Sequence, residues 1–289
     1  MRRLLIVGCG DVVRRVLPEL VRRWRVYALV REPEEELRAL GVLQIRGDLD
    51  QPATLGRLAG LAHAVLHSAP PASAGNVDIR TRRLIAALRS AQSLPRRLVY
   101  IGTSGVYGDC RGEVVAETRP LRPRTARAQR RADAERQLRD FGRTSGCCVS
   151  ILRAPGIYAA DRLPLERLRR GDPVLRAEED VYTNHIHAED LGRACLAALL
   201  SGRPNRAYHA SDDSAISMGD WFDRLAAAYG LPRPPRVTRA EAERLLPPVM
   251  LSFMGESRRL DNARLKHELR LALRYPDIDA GIAAALRKS

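Results

Sequence analysis

Short apolar runs alternate along the chain with longer segments in which apolar residues recur every three or four positions. The runs predict strands at residues 4–7, 26–30, 42–45, 64–67, 98–101 and 149–152. The longer segments predict helices near residues 12–23, 33–40, 51–58, 76–93 and 125–143. Strands separated by helices of this length form right-handed βαβ crossovers. The pattern therefore predicts an α/β fold with a doubly wound parallel sheet.

The last third of the chain follows a different pattern. Residues 213–275 have mostly helical periodicity, and prolines interrupt them at positions 232, 234, 235, 247 and 248. We therefore predict a small, mostly helical C-terminal part beside the sheet.

Composition narrows the class of protein. The 289 residues are 45% hydrophobic and 29% charged, which is typical of a globular chain with one large domain or two joined ones. The net charge is +15, and such a basic chain raises the question of nucleic-acid binding. However, the arginines are spread along the chain, and only three Phe and two Trp are available for base stacking. We therefore expect no nucleic-acid partner.

Cysteine usage and hydropathy indicate the compartment. The five cysteines include no C-x-x-C or Cys/His spacing, so we expect no metal site and reduced thiols in a cytoplasmic protein. The N-terminal apolar run superficially resembles a signal peptide, but Asp11 interrupts it. No stretch approaches ~18 uncharged apolar residues, so we expect no membrane association.

A glycine-rich turn follows the first predicted strand. It reads Gly8-Cys9-Gly10-Asp11-Val12-Val13, which is the G-x-G-x-x-G dinucleotide fingerprint with its last glycine replaced. The first glycine makes the tight turn, and the second lets backbone N–H groups approach a pyrophosphate at the helix N-terminus. The valine stands where a glycine normally permits close helix–strand packing, so that packing is in question. The sequence thus predicts cofactor contacts from residues 8 to 12.

The end of the second strand bears on the choice of cofactor. Arg31 and Glu32 follow this strand. An acidic residue here binds the ribose 2′-OH of NAD, whereas an arginine suits the 2′-phosphate of NADP. Arg31 occupies the better position, so we favour NADP and keep NAD as the alternative.

Further motifs follow the later strands in a specific order. They are Gly47-Asp48-Leu49, His67-Ser68-Ala69-Pro70-Pro71, Ile101-Gly102-Thr103-Ser104-Gly105-Val106-Tyr107-Gly108, Arg153-Ala154-Pro155-Gly156-Ile157-Tyr158 and Asn184-His185-Ile186-His187-Ala188-Glu189-Asp190-Leu191. With the glycine turn, these motifs resemble an extended or atypical short-chain dehydrogenase/reductase of the NAD-dependent epimerase/dehydratase type. The resemblance covers roughly residues 3–270.

The resemblance implies a division of the chain and a set of cofactor contacts. Residues 1–160 would form a Rossmann-type NAD(P)-binding domain, and 161–289 a smaller substrate-binding part, with about 182–212 returning to the sheet. Asp48 and Leu49 would flank the adenine. The residues Ser68, Ala69 and Pro70 would lie by the nicotinamide ribose and pyrophosphate. Thr103 matches the Ser/Thr that hydrogen-bonds the reacting oxygen, and the turn from Pro155 to Tyr158 would approach the nicotinamide.

The family's catalytic motif is altered in this chain. Family members often read P-x-(S/T)-x-Y-x-x-x-K-x-x-x-E, in which the tyrosine is the general acid/base and the lysine lowers its pKa and holds the ribose. Here Pro123, Thr125 and Glu135 fix the register. Arg127 then stands at the tyrosine position and Arg131 at the lysine position.

Helical geometry supports this placement independently. At 100° per residue, positions 127, 131, 134, 138 and 141 share one stripe, and the last three are Ala134, Leu138 and Phe141. The two arginines therefore begin the inward face of the helix. On the opposite side we expect three arginines to be solvated, namely Arg136, Arg139 and Arg143.

The substitutions change the chemistry that this helix can perform. A guanidinium with a pKa above ~12 cannot exchange protons near neutral pH. Arg131 could still hold a ribose hydroxyl or a phosphate, and Arg127 could bind a substrate carboxylate or phosphate as a bidentate fork. Arg258 or Arg259 is a further candidate for an anionic substrate. Proton transfer would need another group, and the candidates are Tyr107, Tyr158, His185 and His187.

Two functions remain open at this stage. One is an oxidoreductase or epimerase/dehydratase-like enzyme that acts on a small anionic or sugar-derived metabolite and lacks the usual Tyr–Lys pair. The other is a non-catalytic protein that senses NADP(H). The sequence also leaves a homodimer open, and it does not identify the substrate.

Overall fold

A computed structural model describes residues 1–287; Lys288 and Ser289, the end of the predicted C-terminal part, lie outside the described residues. The strands in chain order are β1 (Arg3–Val7), β2 (Arg25–Val30), β3 (Leu43–Arg46), β4 (Ala64–His67), β5 (Arg97–Thr103), β6 (Val114–Val115), β7 (Cys148–Ala154), β8 (Gly156–Tyr158), β9 (Val174–Leu175), β10 (Tyr182–Thr183), β11 (His185–His187), β12 (Arg206–His209), β13 (Ile216–Ser217), β14 (Arg236–Val237) and β15 (Arg259–Leu260).

The helices lie between these strands and after them. They are α1 (Asp11–Arg23), α2 (Glu35–Ala39), α3 (Ile79–Arg89), α4 (Ala126–Ser145), α5 (Leu165–Arg169), α6 (Ala188–Ser201), α7 (Met218–Ala228), α8 (Arg239–Leu245), α9 (Pro248–Met254), α10 (Ala263–Leu269) and α11 (Ile278–Leu286). Short 3-10 helices cover Pro52–Leu58, Ser104–Tyr107, Ala160–Arg162 and Ala177–Glu179. No helix within residues 1–287 combines the length and apolar character that a membrane crossing requires.

The centre of the structure is a seven-stranded sheet. Its spatial order is β12-β7-β5-β4-β1-β2-β3, and every neighbouring pair is parallel. The order reverses between β1 and β4, which makes this a doubly wound, Rossmann-type sheet. The predicted fold class is therefore confirmed, including the smaller, mostly helical C-terminal part. The segment predicted to be helical at 51–58 is the 3-10 helix Pro52–Leu58.

Both faces of the sheet are covered, as a parallel sheet requires. Successive residues of β1 point to opposite faces: Leu4 and Ile6 pack with α1 and α6, whereas Leu5 and Val7 pack on the side of α3 and α4. A third apolar cluster, which includes Trp221, lies in the C-terminal part around α7. This arrangement leaves the carboxyl ends of the strands open toward the C-terminal part.

The close packing expected from a third glycine is achieved elsewhere in the chain. Val13 of α1 is buried, with 1% of its surface exposed, and its side chain packs in the core. The close approach occurs between α1 and α6 at Gly192, where an added Cβ would lie 3.0 Å from the Val12 carbonyl oxygen and 3.2 Å from Val16 Cβ. The valine in the fingerprint is therefore accommodated, because the small residue stands on the partner helix.

Helix α4 is held against β7 by a buried ion pair. Arg153 Nη2 lies 2.7 Å from Glu135 Oε2, and both side chains are almost fully buried. Arg153 Nε donates to Glu135 Oε1 at 3.0 Å, and Nη1 donates to the Glu117 carbonyl at 2.9 Å and to the Tyr107 hydroxyl. Burial opposes the charged form of Arg153, but Glu135 outweighs this effect, so the pKa of Arg153 is raised. The hydrogen bonds thus compensate a pair that would otherwise be costly to bury.

We expect Glu135→Gln to lower the free energy of unfolding by about 3–5 kcal/mol, because it leaves the buried Arg153 charge uncompensated. Chemical denaturation measures this change. Glu166→Gln, which removes one partner of the exposed pair with Arg169, is the matched control and should have little effect. Equal stability of the two variants would contradict this account of the ion pair.

Candidate functional site

A cleft of about 890 Å³ runs along the carboxyl ends of the strands, between the sheet and the C-terminal part. From the sheet side it is lined by residues 7–13, 29–31, 47–49, 68–70, 101–105 and 154–157. From the other side it is lined by residues of α7 and of the segment from 252 to 258. This position, at the point where the strand order reverses, is where doubly wound sheets bind ligands.

The glycine turn forms one part of the cleft. Gly8 has φ +89°, and a side chain there would overlap the Ala69 backbone, so only glycine fits. Gly10 caps α1, and no atom lies within 4 Å of the position that a Cβ would occupy. The first N–H groups of α1 have no partner within the helix. Open space in front of unpaired N–H donors fits a pyrophosphate group.

The side chains beside this turn carry no uncompensated charge. Burial raises the pKa of the Cys9 thiol to about 11, so the thiol is neutral at pH 7. Asp11 bonds to Arg162 at 2.9 Å and to Arg15 at 2.8 Å, so its charge is compensated. Val12 lines the cleft beside it. Across the turn, the Ser68 hydroxyl donates to the Gly8 carbonyl, which ties the ends of β1 and β4 together.

The far end of the cleft brings Arg31, Asp48 and Leu49 together. Arg31 is exposed, and within residues 1–287 it donates no hydrogen bond and forms no ion pair. Glu32, its competitor in the sequence, bonds to Arg46 at 2.9 Å instead. Asp48 Oδ1 accepts the N–H of Asp50 at 2.9 Å, and Leu49 is buried at the cleft wall.

The opposite end of the cleft is formed around β5 and the start of α4. Thr103 lines the cleft, and its Oγ1 accepts a hydrogen bond from the N–H of Gly105 at 3.2 Å. Arg131 Nη1 donates to the Tyr100 hydroxyl and to the Ile101 carbonyl, both at 3.0 Å, so its guanidinium is held at the end of β5. Residues Ala69, Pro70 and Pro155 complete this wall.

Arg127 faces the same cleft but is held differently. Its Cζ lies over the ring of Phe253 in α9, 4.5 Å from the ring centroid. The residue is exposed within the cleft; partial desolvation of its guanidinium lowers its pKa, and the charge of Glu256 acts in the opposite direction. This contact joins the start of α4 to the C-terminal part across the cleft. Arg127 and Arg131 therefore both line the cleft, beside Thr103.

The two candidate tyrosines lie outside the cleft lining. Tyr107 is 1% exposed, and its hydroxyl bonds to His209 Nε2 and accepts from Arg153. Tyr158 is 3% exposed, and its hydroxyl donates to the Asp277 carbonyl at 3.2 Å. Burial raises the pKa of Tyr107 to about 12 and raises that of Tyr158 as well. The structure does not bring these hydroxyls together with Thr103, because each ring packs in the core.

The two candidate histidines have different surroundings. His185 lines the cleft, is buried against Trp221 at a centroid distance of 4.4 Å, and has its pKa lowered to about 3 by burial. His187 caps α6, where its Nδ1 accepts the N–H of Glu189 at 3.3 Å, and its ring packs on Tyr275. A neutral His185 is a poor proton donor near pH 7.

The outer face of α4 differs from the prediction at one arginine. Arg136 and Arg143 are exposed and pair with Asp133 and Asp140 along the helix. Arg139 is half-buried and donates to the Asn205 carbonyl, so the prediction that it is solvated was wrong. The loop before β12 covers this part of the helix, which the periodicity of α4 alone cannot indicate.

The wall opposite the sheet contains residues that the motifs did not single out. They are Met218, Trp221 and Phe222 of α7. Ser252, Phe253, Glu256 and Arg258 near α9 line the same wall. Arg258, one of two arginines considered from the sequence, bonds to Glu256 at 2.9 Å and to the Gly108 carbonyl at 2.7 Å. Arg259 instead donates to the Gly112 carbonyl at 2.8 Å and is not part of the lining.

Solved structures with this arrangement are numerous, and three show the range. A functionally unknown conserved protein from Silicibacter pomeroyi is 28% identical, with a TM-score of 0.79 over 100% of this chain and 99% of that one. UDP-glucose 4-epimerase of Thermotoga maritima, solved with UDP-glucose, is 18% identical, with a TM-score of 0.77 over 99% of each chain. The dTDP-glucose 4,6-dehydratase DesIV of Streptomyces venezuelae, solved with NAD, is 21% identical, with a TM-score of 0.76 over 99% of this chain and 96% of that one.

Sequence comparison gives the family. No curated protein matches the chain significantly. At 18% and 21% identity, the epimerase and dehydratase structures show only that the fold is shared. The family model for NAD dependent epimerases and dehydratases matches residues 14–211, which include most of the strands that form the cleft. The chain therefore belongs to the NAD dependent epimerase/dehydratase family.

Proposed function

We propose that this protein is a nicotinamide-dinucleotide-dependent oxidoreductase or epimerase/dehydratase-like enzyme with a non-standard active site. The observation that carries the proposal is the single cleft that joins the glycine turn at α1 to Thr103 and Arg131. Family membership supports a nicotinamide cofactor, and the open space at Gly10 fits its pyrophosphate. When bound, such a cofactor supplies or accepts a hydride.

The residues that line the cleft take distinct roles in this proposal. Residues 8–12 hold the pyrophosphate, and Asp48 and Leu49 hold the adenosine end. Residues 68–70 and Pro155 enclose the nicotinamide ribose region, where Arg131 donates to a ribose hydroxyl as the family's lysine would. We assign these contacts to residues 1–160, with 182–212 completing the sheet, and the substrate contacts to the smaller part, residues 161–289.

Thr103 and the C-terminal wall define the substrate position. The Thr103 hydroxyl can donate its hydrogen to a reacting oxygen, since it lines the cleft and the Gly105 N–H occupies only one of its acceptor lone pairs. Two of the solved relatives were determined with UDP-glucose. A small anionic or sugar-derived metabolite is therefore the substrate class that we propose.

A second function, the sensing of NADP(H) without turnover, is favoured by the two arginines. Within the described residues, Tyr182 is the one tyrosine in the cleft lining, and no lysine lines it. Guanidinium groups at both positions of the family's catalytic pair bind anions but do not exchange protons near pH 7. The cofactor site is the same in both functions, so turnover is what separates them.

Titration calorimetry with NADP(H) and NAD(H), followed by absorbance at 340 nm across a panel of carbonyl compounds, alcohols and sugar nucleotides, tests the proposed function. We expect saturable dinucleotide binding and turnover with a member of the panel. Binding without turnover would favour the sensor. Absence of dinucleotide binding would contradict both functions.

We expect Gly10→Ala to weaken dinucleotide binding about tenfold without loss of stability, since its methyl group would enter open space in front of the α1 N–H donors. Gly8→Ala is the contrasting variant: it should destabilise the fold because of its φ and its overlap with Ala69. Calorimetry and thermal unfolding measure the two effects. Unchanged affinity in the Gly10→Ala variant would show that the dinucleotide does not approach this turn.

The free guanidinium of Arg31 leads us to propose NADP as the preferred cofactor. Arg31→Asp should weaken NADP(H) binding by about 10- to 100-fold and leave NAD(H) binding nearly unchanged, because only NADP carries the 2′-phosphate. Arg38→Asp, at an exposed arginine outside the cleft lining, is the matched control. Equal losses for both cofactors in the Arg31→Asp variant would count against the 2′-phosphate contact.

A further inference from the structure

Arg127 stands apart from the other arginines at its end of the cleft. Arg131, Arg162 and Arg258 are each engaged by acceptors of the protein. Within residues 1–287, Arg127 donates no hydrogen bond and forms no ion pair, although it lines the cleft. Its guanidinium stacks on the ring of Phe253.

This contact leaves the hydrogen-bonding groups of Arg127 free. The five N–H donors of a guanidinium lie in its plane, whereas an aromatic ring contacts its face. The Cζ of Arg127 lies 4.5 Å from the centroid of Phe253, so the ring restrains the guanidinium without using a donor. The edge that matches the two oxygens of a carboxylate or phosphate therefore remains available.

The electrostatic surroundings of Arg127 are unfavourable for a cation. The first turn of α4 contains no acidic residue, and Arg127 stands near the positive N-terminal end of this 20-residue helix. Glu256 acts on Arg127, but its carboxylate is bonded to Arg258 at 2.9 Å. Arg127 is exposed to the solvent of the cleft, and partial desolvation of its guanidinium lowers its pKa. An anion bound here would offset the positive end of the helix dipole.

The position of Arg127 relates this anion site to the reacting group. A Cβ built on Gly105 would lie 3.5 Å from Thr103 Oγ1 and 4.0 Å from Ala128 Cβ, so only Gly105 separates Thr103 from the first turn of α4 at this point. Arg127 precedes Ala128 and faces the cleft. A substrate with one oxygen at Thr103 could thus place a neighbouring anionic group at Arg127.

We propose that Arg127 is a specificity-determining residue that binds a carboxylate or phosphate group close to the substrate's carbonyl or hydroxyl carbon. This inference rests on the proposed function, and it adds the chemical class of the substrate: a 2-oxo or 2-hydroxy acid, or a phosphorylated ketone or alcohol. At the position where the family has a tyrosine that transfers protons, Arg127 therefore recognises a charged group of the substrate. Phe253 restrains the guanidinium in the orientation that this recognition needs.

The test compares charged probes with neutral ones of similar shape. Calorimetry on the cofactor-loaded protein would use pyruvate against methyl pyruvate, and dihydroxyacetone phosphate against dihydroxyacetone. We expect the wild type to bind at least one anion about 10- to 100-fold more tightly than its neutral counterpart. Arg127→Met should abolish this preference, whereas Arg136→Met, at an exposed arginine of the same helix, should retain it. The pair that shows the preference identifies the group as carboxylate or phosphate.

Two further readouts keep the outcomes distinct. Arg127→Met should be at least as stable to thermal unfolding as the wild type, since Arg127 has no hydrogen bond to lose; a marked loss of stability would indicate a structural role and overturn the inference. Binding of neither anion, or equal preference in Arg127→Met and wild type, would also overturn it. Failure of the cofactor titration would contradict the proposed function instead, and the probes would then be compared on the protein alone.

Discussion

The buried ion pair between Glu135 and Arg153 is the interaction on which the geometry of the cleft depends. Apolar side chains of α4 such as Leu138 and Phe141 hold the helix on the sheet through contacts that have no preferred direction. A buried ion pair has one, because its donors and acceptors must all meet partners in a single arrangement. Arg153 donates to Glu135, Glu117 and Tyr107, so it joins α4, β7 and the loop after β5. Rotation of α4 is thereby fixed.

The fixed rotation determines what the start of α4 presents to the cleft. Arg131 and Arg127 lie four and eight residues before Glu135, so at 100° per residue they are turned from it by about 40° and about 80° around the helix. Arg131 is accordingly directed at the end of β5, where the Tyr100 hydroxyl and the Ile101 carbonyl receive it. Burial raises the pKa of Tyr100 to about 12, so this hydroxyl is a hydrogen-bonding partner and not an acid at pH 7. The family's framework is retained here, and in the function that we propose the two arginines on it bind anionic groups.

The sequence predicts most of the sheet and one side of the cleft, because both depend on local periodicity. Six strands are short continuous apolar runs, and the glycine turn has a fixed spacing, so a single segment reveals each of them. The opposite wall, with Phe253 and Glu256, could not be predicted in this way, since its residues approach α4 only through the tertiary fold. Gly192 could not be predicted from a single segment either. Val13 stands where the fingerprint has a glycine in α1, and the small residue that allows close packing is Gly192 in α6. The direction of Tyr107 and Tyr158 was also undetermined, since an aromatic residue in a motif can face either core or cleft.

The high positive charge of the chain takes on a local meaning in the cleft. Some of the exposed arginines of the outer surface pair with nearby carboxylates, as Arg38, Arg143 and Arg169 do. The cleft is lined by seven arginines and four acidic residues, so its lining is positive overall. Low-dielectric walls focus the field of such charges and increase the rate at which anions enter, most strongly at low ionic strength. A volume of about 890 Å³ suits a small molecule and not a nucleic-acid duplex. In the function that we propose, the positive charge of the cleft therefore serves to attract small anions.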